Sequence, residues 1–219
     1  NQYQNRVYFI TFIAYGALHL SRKCYVNVKI KLESDAEYDP TFLSLMDTMF
    51  MLFYALGSFF SGAVGSKYSA PLIVSIGLFG SAFSVLLFLI SIWTRFQESE
   101  YLFLSTIFPL ITWLLHGLMQ STGGPANTTI MSNWFGYKNR GYIFGTWTCH
   151  QYVGNIVAAL IAGLVLSDSN IPWTFTLVIP VIVSLVWGVV CLYVLPEHPD
   201  ELLTHNPTRS IYAKLYPAA

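Results

Sequence analysis

Residues 68–94 read YSAPLIVSIGLFGSAFSVLLFLISIWT, twenty-seven residues without Asp, Glu, Lys or Arg. Roughly 20 apolar residues at 1.5 Å rise cross the ~30 Å hydrocarbon core of a bilayer, so this stretch predicts a membrane-spanning helix. The rest of the chain repeats the pattern. Charge-free runs cover 7–21, 48–66, 68–94, 101–137, 141–167 and 169–196, with lengths of 15, 19, 27, 37, 27 and 28 residues. Five are long enough alone; the first becomes a full span only if Arg22 and Lys23 lie inside the helix. The 37-residue run would make a rod of roughly 55 Å, too long for one straight crossing and too short for two with a turn. Gly123-Gly124-Pro125 falls inside it and predicts a kinked or broken helix there. The expected architecture is all-α and membrane-embedded, with six transmembrane helices at about 6–30, 42–65, 69–94, 101–132, 140–167 and 172–196. Residues 201–219 then form a polar tail or the start of a linker.

Composition agrees. The 219 residues are 54% hydrophobic and only 10% charged, where a soluble chain carries about 25% charged residues. Eleven basic and eleven acidic residues cancel, which leaves no basic excess for nucleic acid and makes the lipid bilayer the expected surroundings. Cys24, Cys149 and Cys191 lie in apolar stretches without CxxC spacing, so neither a disulfide framework nor a cysteine zinc site is expected. The chain contains no GxSxG, HExxH or GxxxxGK[ST], and no carboxylate pair within the spans. It therefore reads as a non-enzyme, with no catalytic residue, no metal and no cofactor. It opens at Asn1 without a cleavable leader and is expected to be a processed or incomplete chain.

Six spans put both termini on one side, with Arg6, Lys67, Lys138 and Arg140 in the short segments there. The other side has Lys29, Lys31 and Arg95, so basic residues favour a cytosolic position for the termini. Small residues recur at four-residue spacing: Gly57, Ser61 and Gly65, beside Ser58, Gly62 and Ser66, in the second span. Gly141, Gly145 and Cys149, then Ala159 and Gly163, follow in the fifth. Such stripes let helix backbones approach closely and predict a compact bundle.

Arg22-Lys23 is the feature that points to function. A cation held within a membrane is costly, so it faces water or an anion unless it snorkels to the interface. Tyr15, His19, Arg22 and Lys29 lie on one helical stripe, with Val26 between. A polar stripe on a membrane helix implies a hydrated cavity. The planar guanidinium fork matches phosphate or carboxylate bidentately, and the adjacent lysine adds a point charge. Tyr54, Gln120, His150 and Gln151 are further candidates for that cavity, with His116 as a weaker one. A histidine titrating near neutrality suits a titrating phosphate.

Gly117-Leu-Met-Gln120-Ser-Thr-Gly123-Gly124-Pro125, Asn133-Trp134-Phe135, Arg140-Gly141, Trp147-Thr-Cys-His150, Val153-Gly154-Asn155 and Glu197-His198-Pro199 form a specific set of motifs. Together with Ser21-Arg22-Lys23, they resemble the organophosphate:phosphate antiporters of the major facilitator superfamily, in their eukaryotic sugar-phosphate or glycerol-3-phosphate branch. The resemblance covers nearly all of residues 6–200. It implies one half of a twelve-span fold, built as a 3+3 inverted repeat, that exchanges a phosphate ester for inorganic phosphate by alternating access. It implies Arg22 as phosphate ligand with Lys23 beside it, Tyr15 and Tyr54 lining the site and Gln120 touching substrate. His150 stands where the eukaryotic members have a histidine, whereas bacterial members place theirs at the position of Gln151. Three departures stand out. Gly124 replaces a tryptophan, Gly62–Lys67 lacks the acidic residue of the usual gating motif, and the chain stops after six spans. The missing half would be a partner, either from the same gene product or from another chain. The departures also keep open a second reading, a transporter-derived structural subunit among other membrane subunits. The resemblance implies an endoplasmic reticulum membrane, with the mitochondrial inner membrane or a bacterial plasma membrane as alternatives.

Overall fold

The structure, a computed structural model, describes residues 2–65, 68–95, 100–101, 103–137 and 139–200, without the side chains of residues 62–65. Ser66, Lys67, Glu98, Lys138 and the tail after residue 200 lie outside them. So do the gating-motif departure and two of the seven basic residues used for orientation, Lys67 and Lys138. Among the described residues every regular element is a helix.

The helices are α1 (Gln2–Asn27), α2 (Lys29–Ser34), α3 (Pro40–Gly65), α4 (Ala70–Trp93), α5 (Phe108–Gln120), α6 (Gly123–Trp134), α7 (Arg140–Trp147), α8 (His150–Ser167) and α9 (Phe175–Val194), with a π-helical turn over Phe103–Ile107 ahead of α5. Five segments are long and apolar enough to cross a membrane: Pro40–Ser61, Ala70–Trp93, Phe103–Trp134, Arg140–Ser167 and Phe175–Val194. The first segment differs from expectation. Its 26 residues give a rod of about 39 Å, long enough to span, but its polar side chains keep it out of that apolar class. It also ends before residue 30: the chain turns at Val28, and Lys29 begins α2.

The long fourth segment is broken as expected, though two residues earlier than the Gly-Gly-Pro triplet. Pro125 has no N–H to give the Ser121 carbonyl, so α5 closes at Gln120, Ser121-Thr122 form a turn, and α6 starts at Gly123. The fifth segment is interrupted at Thr148-Cys149, where no proline stands, and nothing in its sequence predicts this.

Packing follows the small residues, but not all of them. The α1 and α8 backbones cross where a Cβ on Gly154 would lie 2.5 Å from the Gly16 carbonyl oxygen. Gly57 lies directly against Ser121 of the fourth segment, and Gly117 directly against the Phe50 backbone. Gly141, Gly145 and Gly163 have nothing within 4 Å, and Cys149 is exposed, so the fifth-segment stripe faces outward rather than into a helix contact. Residues such as Phe59, Leu160, Leu164 and Tyr193 stand more than 60% exposed. Such an apolar outer surface belongs in lipid.

The interior divides into two apolar clusters. One gathers Val7, Leu18, Leu78, Met131, Trp134 and Trp147 towards the end that holds the amino terminus. The other gathers Tyr25, Met46, Phe88, Trp113 and Leu177 towards the far end. Buried Ser81, His116, Gln120, His150 and Ser184 lie at the boundary between them. At the far end the Ser34 hydroxyl and the Lys31 ammonium hold the Asp35 carboxyl below the usual carboxylate range. At the near end the motif residues of the fourth and sixth segments meet: Asn133 donates to the Glu197 carbonyl at 3.3 Å and the Trp134 indole to that of Pro196 at 3.1 Å. The Glu197 carboxylate accepts the Ala70 N–H at 3.1 Å, where a negative charge stabilises the start of α4.

Candidate anion site

The site begins with the geometry of α1. Residues 15, 19, 22 and 26 repeat at four and three positions, so one stripe turns the same way over three helical turns. Gly16, on the adjacent face, lets α8 approach closely enough to form an opposite wall. Between the two lies a cavity of about 400 Å³ lined by Tyr15, His19, Arg22, Lys23, Val26, Tyr54, Gln151 and Asn155. Six of the eight residues expected from sequence therefore share one polar cavity at the mid-bundle boundary.

Arg22 stands with its Cζ 5.1 Å from the Phe50 ring centroid, and its Nη2 lies 3.1 Å from Met51 Sδ. These are soft partners that leave most of the guanidinium fork unused. Among the described residues neither Arg22 nor Lys23 is ion-paired; the two ion pairs are Lys29–Asp47 and Lys31–Asp35. Asp47 lines a second cavity of about 150 Å³ beside Arg22, together with Tyr25 and Trp113. Lys29 is taken up by Asp47 and does not continue the cavity stripe, because the turn at Val28 redirects the chain.

Gln120 and His150 are placed otherwise. Gln120 is buried, and its amide nitrogen donates to the Leu18 carbonyl at 2.8 Å and lies 3.1 Å from His116 Nε2. An amide nitrogen only donates, so His116 Nε2 accepts and the imidazole proton sits on Nδ1, 3.1 Å from Ser81 Oγ. Ser81, His116 and Gln120 thus tie α4 and α5 to α1 behind the cavity. His150 is also buried: its ring centroid lies 4.2 Å from that of Tyr15 and 5.5 Å from that of His19. Neither of its ring nitrogens has a hydrogen-bond partner among the described residues. Its other side meets an apolar cleft with Phe12, Ile13 and Val157. One residue along the helix is a 100° turn, so Gln151 reaches the polar cavity where His150 does not.

Two neighbours went unremarked as site residues in the sequence. Asn155 lines the cavity one turn beyond Gln151, and that four-residue interval was the available signal. Gly124 sits against Tyr15, where a Cβ would stand 3.0 Å from the phenol oxygen, so its lack of a side chain leaves room for that hydroxyl.

Residues 9–217 match the sequence profile of the Major Facilitator Superfamily. The chain is 31% identical over 222 residues to human sugar phosphate exchanger 3, covering 90% of this chain and 43% of that protein. It is 31% identical over 238 residues to the glucose-6-phosphate exchanger SLC37A2 of Xenopus laevis, covering 97% and 45% respectively. Sugar phosphate exchanger 3 of the same frog is 30% identical over 225 residues. The chain spans less than half the length of these relatives.

Proposed function

Because the chain belongs to the major facilitator superfamily, we infer that it is the N-terminal, six-span half of an exchanger that carries a sugar phosphate or glycerol-3-phosphate against inorganic phosphate. The observation that carries this reading is an open polar cavity in an otherwise apolar bundle, holding two adjacent cations, Arg22 and Lys23, that make no ion pair among the described residues. An uncompensated cation pair in such a place is unfavourable unless an anion neutralises it. A phosphoryl group, with several acceptor oxygens in fork geometry, does so. Tyr15, His19, Tyr54 and Gln151 line the same space. Gln120 and His150 support it from behind.

The 3+3 repeat draws support from the principal helix contacts. Segment 1 packs on segments 5 and 6, segment 4 on segments 2 and 3, and segment 3 on segment 6. Exchanging segments 1, 2 and 3 with 4, 5 and 6 maps this set onto itself. In such a fold a second bundle closes over a midplane site, and the two rock about it. Anion binding lowers the barrier to rocking through its higher affinity for the occluded state. An empty site leaves Arg22 and Lys23 without an anion, which disfavours return without cargo and makes exchange obligatory. The relatives' names agree with a sugar phosphate as cargo. The same lineage favours the endoplasmic reticulum membrane, with the termini in the cytosol. The rival reading, a structural subunit, gains nothing from a cavity that retains its unpaired cations.

Uptake of labelled phosphate by the intact protein in liposomes, with and without internal phosphate, tests this. Uptake should require the internal counter-substrate; equal rates without it would refute obligatory exchange.

A further inference from the structure

The cavity has two chemically different walls. The α1 wall carries His19, Arg22 and Lys23; the α8 wall carries the neutral amides of Gln151 and Asn155. We propose that Gln151 and Asn155 form a hydroxyl-reading subsite, so that the site distinguishes a polyol phosphate from inorganic phosphate. This rests on the exchanger reading above and adds to it the residues that set specificity.

Three observations carry it. First, Gln151 and Asn155 are four residues apart on one helix, about 6 Å along its axis, and both line the cavity. That separation is wider than a single tetrahedral anion, so the two amides reach different parts of a longer phosphate ester. Second, neither amide makes a side-chain hydrogen bond to another described residue, whereas Gln120 and Asn127, elsewhere in the bundle, do. Their donors and acceptors are thus free for a ligand. Third, the chemistry divides. A phosphate dianion offers acceptors only and is best met by cations. A carboxamide presents a donor and an acceptor together, which is what a hydroxyl matches. An amide carbonyl turned towards a phosphate would oppose like charge. The cavity volume of about 400 Å³ falls within the usual range of small-molecule sites, roughly 300–1,000 Å³, and exceeds what inorganic phosphate alone fills.

Gly154, between the two amides, fixes the wall. Its contact with Gly16 presses α8 onto α1 at the level of His19, whose Cβ would be 3.2 Å from a Cβ at Gly154. Gln151 and Asn155 are carried by a rigid crossing rather than by a loop, as discrimination requires.

The test uses the intact protein in phosphate-loaded liposomes and compares two exchanges: labelled phosphate against phosphate, and labelled glycerol-3-phosphate or glucose-6-phosphate against phosphate. For Asn155→Leu and Gln151→Met, which keep volume and remove hydrogen bonding, the KM for the phosphate esters should rise about tenfold or more. The KM for phosphate homoexchange should rise by a smaller factor, so the ester-to-phosphate ratio of the two increases. Asn155→Gln, which retains an amide, should recover part of the loss. Asn155→Ala provides a second truncation should the leucine variant fail to fold. Equal changes in both exchanges, or none in either, would overturn the subsite while leaving the exchanger reading intact. Absence of phosphate-dependent uptake by the unaltered protein would overturn both.

Discussion

Gln120 lies apart from the cavity, tied to its neighbours in the bundle. A polar side chain next to a helix break in a membrane segment reads as a ligand group, and its motif implies the same. Its neighbours decide otherwise: the amide is spent on the Leu18 carbonyl and His116. Leu18 lies one turn before Arg22, so the Ser81–His116–Gln120 chain braces the turn that leads to the cation. Gln120→Met should therefore leave His116 Nε2 buried without a donor, a loss of about 1–3 kcal/mol. Phosphate affinity should stay within about twofold. Thermal melting of the detergent-solubilised protein, with and without phosphate, separates the two effects. Unchanged melting with lost phosphate protection would return Gln120 to the cavity. Arg22 and Lys23, by contrast, stood out from charge alone, and both line the polar cavity.

At the scale of the helix, charge-free runs located the segments, because hydrocarbon tolerates little else. They could not show how each helix ends or bends inside its run. The break near Pro125 was legible since proline removes a defined donor; the interruption at Thr148-Cys149 was not, having no comparable residue behind it. Small-residue stripes were half informative for a related reason. Periodicity finds a narrow helix face but not which neighbour meets it. Gly154 meets Gly16, while Gly163 meets nothing within 4 Å. Gly154→Val should therefore wedge α1 from α8 and destabilise the protein by about 1–3 kcal/mol, as overpacking does. Gly163→Ala should leave the melting temperature unchanged or slightly raised, since alanine favours a helix over glycine. Equal effects of the two substitutions would show that the crossing is not a close one.

For the whole molecule, the governing feature is an apolar interior divided by a polar stratum, with the cavity opening beside it. Sequence periodicity on α1 foretold one wall of that cavity, since Tyr15, His19 and Arg22 share a stripe on a single helix. The other wall depends on how α8 rotates against α1, which no single-helix pattern contains. Hence Gln151 lines the cavity while His150 does not, and Asn155 joins it only in the folded chain. Exchange as proposed requires that the Arg22 guanidinium bind a phosphoryl group in this cavity. Equilibrium phosphate binding to the intact protein, compared with Arg22→Lys, tests that most directly. Lysine keeps the charge but loses the fork, and a charge-assisted hydrogen bond is worth about 1.5–3 kcal/mol. Affinity should weaken about tenfold to a hundredfold, and an affinity equal to that of the unaltered protein would contradict phosphate coordination by Arg22.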